Sequence, residues 1–508
     1  MIIHKRDFAK ILRRNFTLAL GISILVAIVP TAKTHNIGYV DPNLYIGYAT
    51  NLQWLVGIGG FEYHATRLPF IGFVRIILLF GPTMFGLIYK VLIVFFIALV
   101  CIKLSEQIKI SRGFASLLTI FICLSPMVIS ISSWTMPNGF AAVFTSFTTL
   151  YIFRKRFSNI DLLIVGSLMT TSFMLNAFGS VFAVIPFLVT LWMRSTSFKN
   201  FFLTNSLIGL GILFSAISYQ LIWTYALKLP NSLWEPHINV IFNRDSLVSN
   251  WLPISSPTSQ GVSSFLILGF SLIILLAVCK MQEFRDLLQP VVALITTYVF
   301  VWVMYFAKLN FAFNAFWYYY AYLPMFLLTS IITLKVLLVF TKRTDAKQEN
   351  SRLFFAVPTL LFLALPTIFL LHCKIPSLMT AYKSSSNYVS TQLLEDEIAL
   401  NNNLRTLPRN RNSVATWYEP DATGYRGSLI SSTSFHLVRF EGAGENQDVL
   451  DFRAFARKNG VRPSCLAMIT SPSWVVSSEF DLDTSYSLIS ENFLPSKKVK
   501  LSIFCGKI

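Results

Sequence analysis

Eleven apolar runs divide this chain, at about 16–32, 82–102, 113–132, 139–153, 160–175, 177–193, 203–225, 263–279, 288–307, 318–340 and 353–372. Most are close to the roughly 20 residues a helix needs to cross a hydrocarbon core about 30 Å thick, although 139–153 and 160–175 are short. Hydrocarbon offers no partner to a backbone N–H or C=O, so a lipid-facing run must close its hydrogen bonds within itself, as a helix does. The sequence therefore predicts an α-helical polytopic membrane protein with about eleven transmembrane helices. Only 13% of residues are charged and the mean hydropathy is +0.60, against about a quarter charged in a soluble domain.

The remaining charge is strongly basic, +18, and its placement decides what it means. A nucleic-acid surface would cluster Lys and Arg on one folded face, but here they fall in short gaps between apolar runs. One set of gaps holds five before residue 16, three in 103–112, three in 154–156, two in 194–199, two in 280–285 and four in 342–352, nineteen in all. The alternate set holds six: Lys33, Arg67, Arg75, Lys228, Arg244 and Lys308. Positive charge marks the cytoplasmic side, so no nucleic-acid partner is expected and the N-terminus is read as cytoplasmic. An odd number of crossings puts the C-terminus outside. The first run follows Lys5, Arg6, Lys10, Arg13 and Arg14 as a signal peptide would, but no small-residue cleavage site follows it, and it reads as a retained span.

This topology divides the chain into a transmembrane domain, 1–372, and a soluble external domain, 373–508. External loops at about 34–80 and 226–262 are too long to be simple connectors. Within the first, the apolar stretch 68–80 carries Arg75 and reads as a helix lying along the membrane surface. The tail carries 15 basic and 13 acidic residues, a soluble balance. A helical stretch at 390–404 and β-like runs at 428–430, 435–440 and 466–469 predict an α/β domain. Cys101, Cys123 and Cys279 fall in apolar runs as packing residues. Cys373, Cys465 and Cys505 fall in the tail, where one pair can bridge and leave one thiol.

Candidate chemistry is confined to the external segments. Outside the cytoplasmic gaps and their edges, and outside the tail, the acids are four: Asp41, Glu62, Glu235 and Asp245. Asp41 stands just past the first span in Tyr39-Val-Asp-Pro-Asn-Leu-Tyr45, followed by Tyr63-His-Ala-Thr-Arg67-Leu-Pro69-Phe. Asp-Pro-Asn is also turn chemistry, so the residues alone allow a turn or a catalytic role. The second loop offers Trp234, Glu235 and His237, an acid and an imidazole beside a flat ring that suits a sugar face or an interfacial belt. Lys90 and Lys335 lie inside spans, where an ammonium must snorkel or face a cavity. Asp481-Leu-Asp483 matches a nucleotide-sugar DxD, but on the side where nucleotide sugars are absent. No phosphate loop, HExxH or GxSxG is present.

An Asp soon after the first span, then a Tyr-rich segment, then Arg–x–Pro–aromatic before a surface helix, resembles the GT-C glycosyltransferases. The resemblance covers the first loop, the number of spans and the external C-terminal domain. It implies a glycosyltransferase that takes a sugar from a polyprenyl-phosphate carrier and adds it to a glycan acceptor such as O-antigen or lipopolysaccharide. It also implies an enzyme of the bacterial inner membrane, N-terminus cytoplasmic and C-terminus periplasmic. Asp41 then becomes the catalytic base. Tyr45, Tyr63, His64, Arg67, Arg75 and Lys308 become donor phosphate or sugar contacts, and Trp234, Glu235 and His237 acceptor-side contacts. Many relatives carry two adjacent acids where this chain has Asp41-Pro42, so a divalent metal is admitted but no metal ligand is assigned. An O-antigen polymerase or ligase, a lipid-linked-oligosaccharide flippase or transporter, and a sensor with an external ligand domain are the alternatives.

Overall fold

The computed structural model describes residues 5–28, 45, 48, 49, 52, 63–133, 137–154, 157–195, 197–229, 232–237, 259–306, 322–344, 399, 403, 414–418, 465–470, 472, 486–495, 497 and 499–506. Twelve α-helices occupy the described part of the chain before residue 345: α1 (Lys5–Ile28), α2 (Leu68–Leu78), α3 (Pro82–Gln107), α4 (Arg112–Cys123), α5 (Pro126–Ser133), α6 (Pro137–Thr149), α7 (Asn159–Leu175), α8 (Ala177–Arg194), α9 (Phe198–Leu221), α10 (Ser259–Cys279), α11 (Leu288–Phe306) and α12 (Leu323–Thr344). In their described residues the predicted runs are mainly helical, with 150–153 a turn and 353–372 outside the described residues. Among the described residues, four segments are long and apolar enough to cross a membrane: Met84–Gln107, Phe198–Ala226, Gln282–Val303 and Leu323–Phe340. Shorter apolar helices accompany them.

The run expected at 113–132 is two helices, α4 and α5, not one. The chain breaks at Leu124-Ser125, because Pro126 lacks the N–H that would continue the ladder. Ser125 restarts it, its carbonyl accepting from the Ile129 N–H at 3.0 Å. The surface helix expected at 68–80 is α2, entered through Pro69 in its first turn.

α6 lies at the centre of the bundle. All of it except Phe144 and Phe147 is buried, as expected of a helix that packs on every side. Its hydroxyls are satisfied within the helix: Thr145 and Ser146 donate to the Ala142 carbonyl at 2.9 and 2.7 Å, and Thr148 and Thr149 to the Thr145 and Ser146 carbonyls at 2.6 Å. α1 packs along α3 and α4, and α7 along α6, α8 and α9.

The α7–α9 crossing is set by glycine. A Cβ on Gly166 would stand 2.2 Å from the Ile208 carbonyl oxygen, and one on Gly211 2.3 Å from the Leu163 carbonyl oxygen. Only hydrogen at both positions lets the backbones touch, the small-residue solution of helices that cannot rely on water to drive them together. Thr170 crosses the same contact, donating to the Gly166 carbonyl at 3.1 Å and approaching that of Ile212 at 3.4 Å. The outer face of α9 remains apolar and exposed at Phe202, Leu203, Leu210 and Phe214.

In the tail, β1 (Val414–Tyr418), β2 (Cys465–Thr470), β3 (Tyr486–Phe493) and β4 (Lys500–Gly506) form one sheet in the order β1-β2-β4-β3. β1 pairs parallel with β2, and β4 pairs antiparallel with β2 and β3. The predicted strand 466–469 is β2. Ala399 and Asn403, in the expected 390–404 helix, are helical, and the expected strands 428–430 and 435–440 lie outside the described residues. Register sets Cys465 opposite Cys505, and the two are disulfide-bonded. Cys373 lies outside the described residues, while Cys101, Cys123 and Cys279 are buried free thiols among the helices.

Candidate functional site

The site is assembled from three chain segments. In the first loop, Tyr45, Tyr48, Ala49 and Leu52 are helical and buried. Their spacing, i, i+3, i+4 and i+7, is one face of a helix. Further on, a 3-10 turn (Tyr63–Thr66) leads into α2. Arg67 stands at that entry, its carbonyl accepting from the Phe70 and Ile71 N–H groups at 3.0 and 3.1 Å. With its backbone pinned, the Arg67 side chain is only 9% exposed. It donates from Nη1 to the Tyr45 hydroxyl at 2.6 Å, with the guanidinium carbon 5.7 Å from the centre of the Tyr45 ring. Tyr45 is itself braced edge-on by Phe70, ring centres 5.1 Å apart.

The third segment follows α9. That helix ends in a π turn, Ile222–Ala226, anchored by fully buried Trp223. Lys228 takes a left-handed backbone, φ 51°, and the Leu233 N–H donates to Gln220 Oε1 at 3.0 Å. The chain thereby folds back on the end of the helix it has just left. This carries His237 to the first loop, where its Nε2 meets Thr66 Oγ1 at 2.8 Å. The imidazole lies near Phe173 of α7 and Trp234, ring centres 5.7 and 5.9 Å away. Burial above all, and then the Arg67 cation, push the His237 pKa down to about 4. The ring is therefore neutral at physiological pH, and the positive charge of the cluster is that of Arg67.

Beneath this junction, Asn176 links the α7–α8 corner to α6. Its Nδ2 donates to Asn138 Oδ1 at 3.0 Å, and its Oδ1 caps α8 by accepting from the Gly179 N–H at 3.1 Å. Phe140 of α6 stacks on Phe73 of α2 at 4.3 Å. The cluster thus offers a fixed cation, two hydroxyls, a neutral imidazole and flat rings. A cation held by a phenol suits a phosphate oxygen, and rings with neutral polar groups suit a sugar.

The predicted residues divide clearly. Tyr45 and Arg67 are hydrogen-bonded to one another, and His237 joins them through Thr66. Trp234 is half-buried beside His237, whereas Glu235 is exposed. Arg75, in the last turn of α2, is also exposed and off the buried face formed by Leu68, Phe70, Ile71, Val74 and Ile77. Tyr63 and His64 lie in the 3-10 turn, with side chains outside the described set, and Asp41 and Lys308 lie outside the described residues altogether. Lys90 is buried on α3 beside Tyr89, whose ring packs on Phe73 at 5.8 Å.

Sequence reasoning assigned no role to Thr66, Phe173 or the Asn138–Asn176 pair. An asparagine at each of two breaks between apolar runs was the available signal. No group of three or more His, Cys, Asp or Glu stands together among the described residues. Compared with known family models, with curated protein sequences and with solved structures, the chain matches none.

Proposed function

We propose that this chain is a GT-C-like membrane glycosyltransferase with eleven crossings, moving a sugar from a polyprenyl-phosphate carrier to a cell-surface glycan such as O-antigen or lipopolysaccharide. The reaction would take place on the periplasmic side of a bacterial inner membrane. The observation that carries this reading is the buried Arg67–Tyr45 pair, joined through Thr66 and His237 to the second long loop. A guanidinium held in place at the edge of an apolar bundle suits a lipid whose phosphate sits at the interface and whose tail lies in hydrocarbon. The Cys465–Cys505 disulfide supports an external tail, because such bonds persist in oxidising compartments and are rare in the cytosol.

In this reading the acceptor hydroxyl attacks the anomeric carbon and the bond from that carbon to the phosphate oxygen breaks. The hydroxyl proton passes to the Asp41 carboxylate, and the polyprenyl phosphate leaves with its charge matched by Arg67. Asp41 precedes Tyr45 by four residues, so the chain holds its Cα within roughly 14 Å of the Tyr45 Cα whatever its conformation. His237, uncharged, and Trp234 would line the saccharide side.

The test compares the mass of the surface glycan in cells expressing wild-type, Asp41→Asn, Arg67→Lys or Glu235→Gln protein at equal membrane abundance. Asp41→Asn should lower modification by roughly 10²–10⁴-fold, the usual worth of a positioned base. Arg67→Lys should also lower it, because an ammonium does not reproduce the guanidinium fork. Glu235→Gln, at an exposed position, should stay near wild type. Full modification with Asp41→Asn and none with Glu235→Gln would move the base to the second loop and overturn the assignment.

A further inference from the structure

Along α1, from Arg14 to Leu25, the helix forms an open groove of about 670 Å³ with Arg112 of α4. Leu18, Gly21, Ile22 and Leu25 make its apolar wall, and Arg14 and Arg112 stand at its mouth. Positions 14, 18, 21, 22 and 25 share one face of a helix. From Arg14 to Leu25 is eleven residues, roughly 16 Å along the axis. That is the depth of one leaflet, about half of a 30 Å hydrocarbon core.

We propose that this groove binds one acidic phospholipid, its phosphate between Arg14 and Arg112 and one acyl chain along Leu18, Gly21 and Leu25. Arg112 is held in place by donation from Nη2 to the Arg14 carbonyl at 3.3 Å, which keeps its cation against the backbone of residue 14 at the groove that both residues line. The nearby acid, Glu106, is engaged by Asn15 at 2.7 Å and by Lys103 at 3.2 Å, so its charge is matched within the protein. The mouth is therefore positive and the wall apolar, which is the pattern of an anionic headgroup above its chain. Gly21 keeps the wall open, since a Cβ there would meet nothing within 4 Å. One leaflet's depth favours a glycerophospholipid over a longer polyprenyl chain. This site depends on α1 crossing the membrane and is independent of the glycosyl-transfer reading.

The experiment is native mass spectrometry of the full chain, exchanged into detergent containing equimolar phosphatidylglycerol and phosphatidylcholine. Wild type should retain one phosphatidylglycerol in preference to phosphatidylcholine. The double change Arg14→Gln, Arg112→Gln should weaken that retention roughly thirtyfold, the worth of two basic residues at a membrane surface. Gly21→Leu, whose Cβ would meet nothing within 4 Å, places an isobutyl group in the groove and should abolish retention of either lipid. Gly209→Leu, at a second exposed helical glycine with open space around it, should leave retention intact. Three outcomes would overturn the proposal: equal retention of the two lipids by wild type, undiminished retention by Gly21→Leu, or the same loss from Gly209→Leu. Displacement of phosphatidylglycerol by an equal concentration of polyprenyl phosphate would assign the groove to that lipid instead and refute the occupant proposed here.

Discussion

Acid should loosen the junction between the two long loops through one residue, His237. Folding takes this imidazole from water to 2% exposure beside Arg67, and its pKa falls from 6.5 to about 4. The folded state thus resists a proton that the unfolded chain accepts readily. Stability from the neutral ring is complete above pH 6.5, declines as the pH falls toward 4, and is gone below that. A depression of this size corresponds to roughly 3 kcal/mol, mostly from desolvation with a smaller part from the Arg67 charge. The assay is denaturant unfolding of detergent-solubilised protein between pH 7.5 and 4, followed for wild type and His237→Gln. Carboxylates titrate alike in both proteins, so the difference between the two curves isolates the histidine. Gln keeps an amide that can meet Thr66 Oγ1 but cannot be protonated in this range. The wild type should lose roughly 3 kcal/mol relative to the variant across the window. An Arg67→Gln background should shrink that loss only in part, because burial is the larger cause. Parallel curves for wild type and His237→Gln, or a wild type that gains relative stability in acid, would refute the reasoning.

Gly166→Ala should destabilise the helical bundle by about 1–3 kcal/mol, because the added methyl meets backbone at 2.2 Å and α7 must move off α9; a thermal midpoint equal to wild type would show that the helices cross farther apart. Replacing Cys465 with Ser opens a cross-link spanning 40 residues and should cost the tail about 4 kcal/mol, read as faster proteolysis of residues beyond 373 while the bundle resists. Reporter fusions after Phe157, Phe198 and Lys347 should register cytoplasm, and those near Asn250 and at Ile508 the periplasm. A cytoplasmic signal at Ile508 would reverse the orientation and remove the proposed site with it.

Hydropathy and charge are sums over neighbours in the chain, and they located most of the described helices, though not the break at Leu124-Ser125. The runs beginning at 82, 160, 177 and 288 match α3, α7, α8 and α11 to within a residue at their starts, since lipid leaves an apolar run no other way to satisfy its backbone. The same local logic placed Arg67 at the entry to the helix at 68–78 and singled out the second loop around His237, while only the family resemblance grouped Tyr45 with Arg67. Local logic could not show that these meet. Thr66 and His237 are 171 residues apart, and their contact depends on how closely α7 approaches α9, on the π turn after α9, and on Leu233 folding back to Gln220. Gly166 and Gly211 look like ordinary small residues in apolar runs until the crossing shows that neither tolerates a methyl. The tail repeats the contrast: three cysteines were visible, but only the β2–β4 register chose Cys465 and Cys505. Arg67 and Arg75 were indistinguishable as basic residues of one loop, and packing separated them into a buried cation and an exposed one. Solvent preference is a property of each residue and is legible along the chain. Which groups are buried together is a property of helix packing, where a single methyl or a single turn changes the answer, and it exists only once the chain has folded.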